Sequence, residues 1–323
     1  MQKNILIILS ILLISCNQLP DSKGEFNEII ILSSSIDKAI YYNDINTLFS
    51  GHVNTPSEEP LYKVKWIDED KFKYYLGYKN LLFINLDEPS DSTVDNLVDK
   101  FKETYSMDLF TLNDVYAKNQ NLFIFSSKDS IGFKSDIQNY GDWIINNIDE
   151  KIYNSLNDYI YRNGRNEEIE LLLNNHFNIN ASIQQDFMVI KDKLMKDDFI
   201  WIGRGYPYRW LCFDKIENIT EIDLWKFFKL SVSEHMPNVV IQEYYKNMSY
   251  ESEGIVKIQG LYEEKSSDTG GPFIVYAKFD SLNKTALLIS GFVNNPGKPK
   301  IRLLEELEIQ ILNSIGREIK DGK

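Results

Sequence analysis

"GIVKIQGLYEEKSSDTGGPFIVYAKFDSLNKTALLISGFV", residues 254–293, holds three runs of strand-forming residues with turn residues between them. Ile, Val, Tyr and Phe dominate GIVKIQGLYEE, PFIVYAKFD and TALLISGFV, and such side chains suit a pleated, half-buried surface. The three runs predict an antiparallel meander, with DSLNK (280–284) as the hairpin turn between the last two. A closing helix follows, with Leu304, Leu307, Ile311, Leu312, Ile315 and Ile319 on one face.

Working back from the meander, the same two periods recur. DFMVIKD, FIWIGRG and RWLCFD (186–214) read as strands, and a helix is expected over 220–234. The middle is helical: Ile145, Ile148, Ile152, Leu156 and Tyr159 keep helix spacing until Gly164, and a second piece covers 167–177. Nearer the start, EIIILSS (28–34), LYKVKWI, FKYYLGYKNLLFINL and NLFIFSS (121–127) read as strands, with helices near 37–49 and 92–104. Strands and helices without regular βα alternation predict an α+β fold, mainly antiparallel sheets with helices packed on one face. The expected layout is a signal segment (1–15), a lipidated Cys with tether (16–27), and two loosely similar halves. These are an N-terminal half with helical connector (28–170) and a C-terminal half (171–323).

The first residues form a separate argument. Met1-Gln2-Lys3-Asn4 carries one positive charge, and Ile5 to Ile14 is almost wholly apolar. Ten residues rise only about 15 Å as a helix, roughly half a bilayer core, which suits an export signal better than a span. Leu13-Ile14-Ser15-Cys16 resembles the lipobox of bacterial lipoproteins. That resemblance implies acyl chains on Cys16, cleavage after Ser15 and a stable membrane anchor, since each buried methylene contributes about 0.8 kcal/mol. Asn17 stands where an inner-membrane retention Asp would be, so the expected place is the periplasmic face of the outer membrane. A lipidated Cys16 leaves Cys212 alone, and no intrachain disulfide is then possible. Within Trp210-Leu211-Cys212-Phe213 it reads as a small core hydrophobe.

Cleavage removes one Lys, leaving 34 basic against 48 acidic residues, net −14, over 308 residues. That acidity argues against nucleic acid as a partner and against electrostatic adhesion to anionic lipid. The length allows one large or two medium domains.

IWIGRGYPYRW (200–210) is the most distinctive local sequence. Arg204 and Arg209 can clamp a carboxylate or phosphate, and Tyr206, Tyr208 and Trp210 can stack on sugar rings. The bland alternative is a strand ending in a Gly-Pro bend with aromatics packed inward. SSDTGGPF (266–273) contains the Asp-Thr-Gly of aspartic proteases but only once and without a preceding apolar strand, so a hairpin or bulge at Gly270-Gly271-Pro272 is the better reading. His52, His176 and His235 are far apart and lack a helical zinc partner; no P-loop, dinucleotide motif or nucleophile elbow occurs. Neither a cofactor nor a metal is expected. The triplets Asp91-Ser92-Thr93, Asp129-Ser130-Ile131 and Asp280-Ser281-Leu282 match a short envelope glycosylation signal, at a length that chance supplies.

RGYPY (204–208), the meander with its GGPF, and ALLISGFVNNPGKPKIRLLEELE (286–308) together resemble an uncharacterised lipoprotein family of Bacteroidota, a domain of unknown function of about this length. LPDSKGEFNEIIIL (19–32) resembles its entry after the lipidated Cys. The resemblance implies an envelope lipoprotein with an α+β body and supplies no activity. The expectation is therefore a lipid-anchored, non-catalytic binding or assembly module, with an unknown envelope protein or glycan as partner. Arg204, Tyr206, Tyr208, Arg209 and Trp210, with Gly270, Gly271 and Pro272, form its candidate surface. The alternative is an envelope hydrolase or transferase acting on glycan or peptidoglycan, which needs convergent carboxylates or a His-based pair in a cleft.

Overall fold

The computed structural model describes residues 19–53, 55–87, 92–252, 254–280 and 282–316. Cys16 and its lipobox, Asp91, Ser281 and Ile319 lie outside the described residues. The strands are β1 (Glu28–Leu32), β2 (His52–Val53), β3 (Glu59–Pro60), β4 (Lys63–Ile67), β5 (Asn80–Leu86), β6 (Leu109–Asn113), β7 (Asn121–Ser127), β8 (Met188–Lys193), β9 (Phe199–Arg204), β10 (Tyr208–Glu217), β11 (Val239–Ile241), β12 (Asn247–Ser252), β13 (Ile255–Glu264), β14 (Thr269–Asp280) and β15 (Thr285–Asn294). The α+β class holds. Among the described residues, those up to Phe49 together with Lys63–Ile148 form one compact unit; Ser50–Tyr62 and the residues from Asp149 onward form the other. The unit boundary falls within the long helix Ser130–Tyr161.

The first unit holds a five-stranded sheet in the order β4-β1-β5-β7-β6. Its pairing departs from the antiparallel expectation: β1 runs parallel to β4 and β5, β5 runs parallel to β7, and only β6 is antiparallel. The physical reason is readable in β5 and β7. NLLFINL and NLFIFSS are buried at every position, as strands covered on both faces must be. The flanking helices start on local caps. Ser34 Oγ accepts from Asp37 N ahead of helix Ser35–Leu48, and Ser92 and Asp95 form a reciprocal capping box ahead of helix Thr93–Tyr105. Residues 20–23, expected as part of the tether, are bonded to this unit: Lys118 N donates to Pro20 O at 2.8 Å and Lys23 N to Gly77 O at 2.7 Å.

The second unit holds an eight-stranded sheet in the order β11-β13-β14-β15-β10-β9-β8, with β12 also on β13. Every pairing in it is antiparallel, including the meander β13-β14-β15. Helices cover both faces rather than one, because both alternating sets of β10, β14 and β15 are apolar. Leu211, Phe213, Ile274 and Ile289 pack with helices Glu167–Phe177 and Ile301–Ile315, while Cys212, Phe273, Val275 and Phe292 pack with helix Leu224–His235. Buried Cys212 is the small core hydrophobe expected, and burial holds its thiol far above the ordinary range. The middle helix begins at Ser130, fifteen residues before the apolar periodicity starts. Gly132 and Gly141 dilute the pattern there, and Asp129 Oδ1 fixes the start by accepting from Ile131 N and Gly132 N, both at 2.9 Å.

Candidate functional site

The β9–β10 hairpin carries the predicted Arg and aromatic cluster. Arg204 and Arg209 face each other across the strands, but each is already neutralised within the protein. Arg204 reaches Asp186 at 2.6 Å, and Arg209, itself buried, is paired with buried Glu306 of the last helix. Burial lowers the Arg209 guanidinium to about 10, so it stays charged at neutral pH. Trp210 lies in the core against Trp201, with ring centroids 5.5 Å apart. Tyr206 and Tyr208 remain about half exposed at the hairpin tip, edge to face at 5.8 Å, with Lys298 Nζ 5.3 Å from the Tyr206 ring.

Gly270, Gly271 and Pro272 are strand residues of β14, and the turn itself falls at 265–268. A Cβ on Gly271 would sit 1.9 Å from Val293 O, and one on Gly270 would sit 2.2 Å from Tyr262 O. Both glycines therefore permit close strand approach. Strand β15 connects the two predicted stretches: Val293, whose carbonyl faces Gly271, is the register partner of Arg209. A cavity of about 540 Å³ beside Gly270 is bordered by Tyr262, Glu264, Lys265 and Thr269, but the Glu264 carboxylate is taken by Ser267, Thr269 and Asn294.

The arrangement with the most chemistry lies elsewhere in the second unit, in a cavity of about 450 Å³. Two helices line it through single faces. Asp149, Ile152, Tyr153 and Leu156 stand at i, i+3, i+4 and i+7, and Ile301, Leu304, Glu305, Glu308, Ile309 and Leu312 repeat that spacing on the last helix. Lys257 and Gln259 of β13 and His52, Leu61 and Tyr62 complete the wall.

Three carboxyl groups meet there, each differently placed. Tyr62 Oη donates to Asp149 Oδ1 at 2.5 Å, and burial raises the Asp149 carboxyl above its ordinary value. Glu308 accepts from Tyr276 Oη at 2.5 Å and pairs with Lys257 at 2.7 Å. Glu305 has no hydrogen-bond or ion-pair partner among the described residues. Burial first, then the charges of Glu308 and Asp149, push it up to about 8. At neutral pH Glu305 thus holds its proton beside Asp149 and Glu308, and can both donate and accept a hydrogen bond. Sequence reading passed over it because it sits beside the apolar stripe of its helix. The available signal was a pair of acids, Glu305 and Glu308, entering that stripe at i, i+3.

Of the three histidines, His52 is exposed at the cavity, and His176 Nε2 lies 2.7 Å from Asp198 Oδ1. His235 is joined by folding to Asp197 and Glu234, with ligand atoms of all three within 4.8 Å of one another. No helix among the described residues is long and apolar enough to cross a membrane.

An antiparallel sheet with an acidic cleft in the second unit defines a class of architecture and no particular activity. Residues 22–160 match a family model described as Domain of unknown function (DUF8532), and residues 231–314 match another, Domain of unknown function (DUF4837). The chain is thus built around domains of unknown function, in keeping with the expected resemblance. No curated relative matches it. Among solved structures it is similar to the Ran-binding protein Mog1p of Saccharomyces cerevisiae, at 12% identity and TM-score 0.29, over 43% of this chain and 87% of that one. A point mutant of Mog1 gives the same identity and score over 45% and 92%. A likeness this slight says nothing of function.

Proposed function

We propose that this protein is a lipid-anchored envelope module that binds an uncharged, hydroxyl-rich ligand of the glycan type in the cleft around Glu305. The single observation behind the reading is the unpartnered Glu305 carboxyl, held protonated near neutral pH between Asp149 and Glu308. A neutral acid offers one donor and one acceptor, as a sugar hydroxyl does, and the apolar wall of Ile152, Leu156, Leu304 and Leu312 suits the faces of a sugar ring. The exposed Tyr206 and Tyr208 give a second aromatic surface for the same ligand class. In this reading Cys16 is the anchor and the periplasmic face of the outer membrane is the location. Because Pro20 is already bonded to the body, only residues 17–19 separate it from Cys16, about 10 Å of chain.

The second reading, a glycan hydrolase or transferase, draws on the same geometry: a protonated Glu305 as general acid with Asp149 or Glu308 as the second carboxyl group. One experiment separates the two. Soluble, uncharged N-acetylglucosamine oligosaccharides are titrated into wild type and Glu305→Gln across pH 6 to 10, with products followed by mass spectrometry. Binding predicts wild-type affinity that falls as pH rises through about 8, where Glu305 ionises, and Glu305→Gln affinity without that fall. Turnover that vanishes in Glu305→Gln would establish the enzyme instead. Oligosaccharides that neither bind nor react would remove both. The anchor is checked by fatty-acid labelling and membrane fractionation, both lost in Cys16→Ala.

A further inference from the structure

We infer that Asp197, Glu234 and His235 form a site for a first-row divalent cation of the zinc type, on the other face of the eight-stranded sheet from the acidic cleft. Glu234 precedes His235 at the end of helix Leu224–His235, and Asp197 ends the short turn Leu194–Asp197. Their ligand atoms lie within 4.8 Å of one another. Around an ion with bonds of about 2.0–2.1 Å, tetrahedral ligands stand about 3.4 Å apart, so closure asks roughly 1 Å of movement. Exposed Glu234 can supply it.

The independent observation is His235. Its residue is 6% exposed and its ring lies flat on Phe199, centroids 3.9 Å apart and planes 13° from parallel. Among the described residues neither ring nitrogen has a hydrogen-bond partner. Its edge is instead aimed at two carboxylates.

One nitrogen with two carboxylate oxygens selects zinc-type ions over magnesium or calcium, which prefer oxygen alone. The helix C-terminus adds its negative dipole end. Two cations oppose: Lys191 Nζ donates to His235 O at 2.9 Å, and Lys196 Nζ lies 3.9 Å from Asp197. The Lys196 side chain is largely exposed and free to swing away. Three protein ligands leave a fourth position for water, the arrangement of catalytic rather than structural zinc.

The test is isothermal titration of Zn²⁺ alone into the chelator-stripped full chain at neutral pH. One saturable ion per chain is expected, with Mg²⁺ failing to compete. His235→Ala should abolish it, and Glu234→Gln, an exposed change that keeps the fold, should weaken it about 10-fold or more. His52→Ala should leave it unchanged. Absence of saturable binding overturns the site, as does binding that survives Glu234→Gln and Asp197→Asn undiminished; these two variants decide the matter if His235→Ala fails to fold.

Discussion

The five-stranded and eight-stranded sheets handle their polar groups by different routes. In the first unit the helix starts are capped locally, by Ser34 and Ser92 ahead of the helices they precede, and buried Asp37 accepts from Leu86 N at 3.3 Å with its carboxyl raised by burial. In the second unit the last helix has no cap from its own N-terminal residue. Lys300 N and Ile301 N donate instead to the Glu59 carboxylate at 2.8 to 3.0 Å, across 241 positions for Lys300. The same helix buries Glu306 against Arg209. The parallel, two-sided sheet keeps its buried long-range side-chain bond neutral, Asn121 Nδ2 donating to Asn80 Oδ1 at 3.0 Å. The antiparallel sheet, with a helix closed onto it by charged contacts, depends on them.

The largest expected effect breaks the charged contact. Arg209→Met leaves Glu306 buried with only Arg302, 3.3 Å away, and should cost about 3 kcal/mol, the low end for a broken buried pair, by chemical denaturation. Asp37→Asn in the first unit keeps an acceptor for Leu86 N and should cost about 1 kcal/mol. Next comes strand approach. Gly271→Ala should cost about 2 to 3 kcal/mol, because its Cβ meets a carbonyl on a paired strand. Gly77→Ala in the first unit has nothing within 4 Å and should stay within about 0.5 kcal/mol. The smallest contrast compares caps: Glu59→Ala should cost about 2 kcal/mol and Ser92→Ala about 1 kcal/mol. Equal losses for Glu59 and Ser92 would erase the distinction between distant and local capping.

Glu305 gives the comparison a pH axis. Its folded value, about 8, lies above the ordinary carboxyl value of 4.5, so the folded chain holds an extra proton between those limits. Stability contributed by the neutral acid is therefore fully present below pH 4.5 and is lost as pH rises through about 8. Glu305→Gln should flatten that decline in thermal midpoint; a slope unchanged from wild type would assign it to other groups.

Much of the fold was legible in residue pattern. The meander at 254–293 and the helices at 167–177 and 92–104 each follow from neighbours a few positions apart, where local geometry is set by sequence alone. The direction of β5 against β1 and β7 was not legible. A buried apolar run such as NLLFINL has no alternation to reveal its pairing, and long-range contact decides it. The hairpin aromatics were visible as a cluster, but not that Arg204 and Arg209 would be consumed by Asp186 and Glu306.

The α+β class, the element types and the acidity were all readable along the chain, because they rest on periodicity, propensity and composition. It took the folded chain to show that Glu59 caps a helix 241 positions away, that Glu305 is left without a partner between Asp149 and Glu308, and that His235 lies beside Asp197 and Glu234. Each depends on burial and on which charges meet through space. Neither quantity has a spacing along the chain.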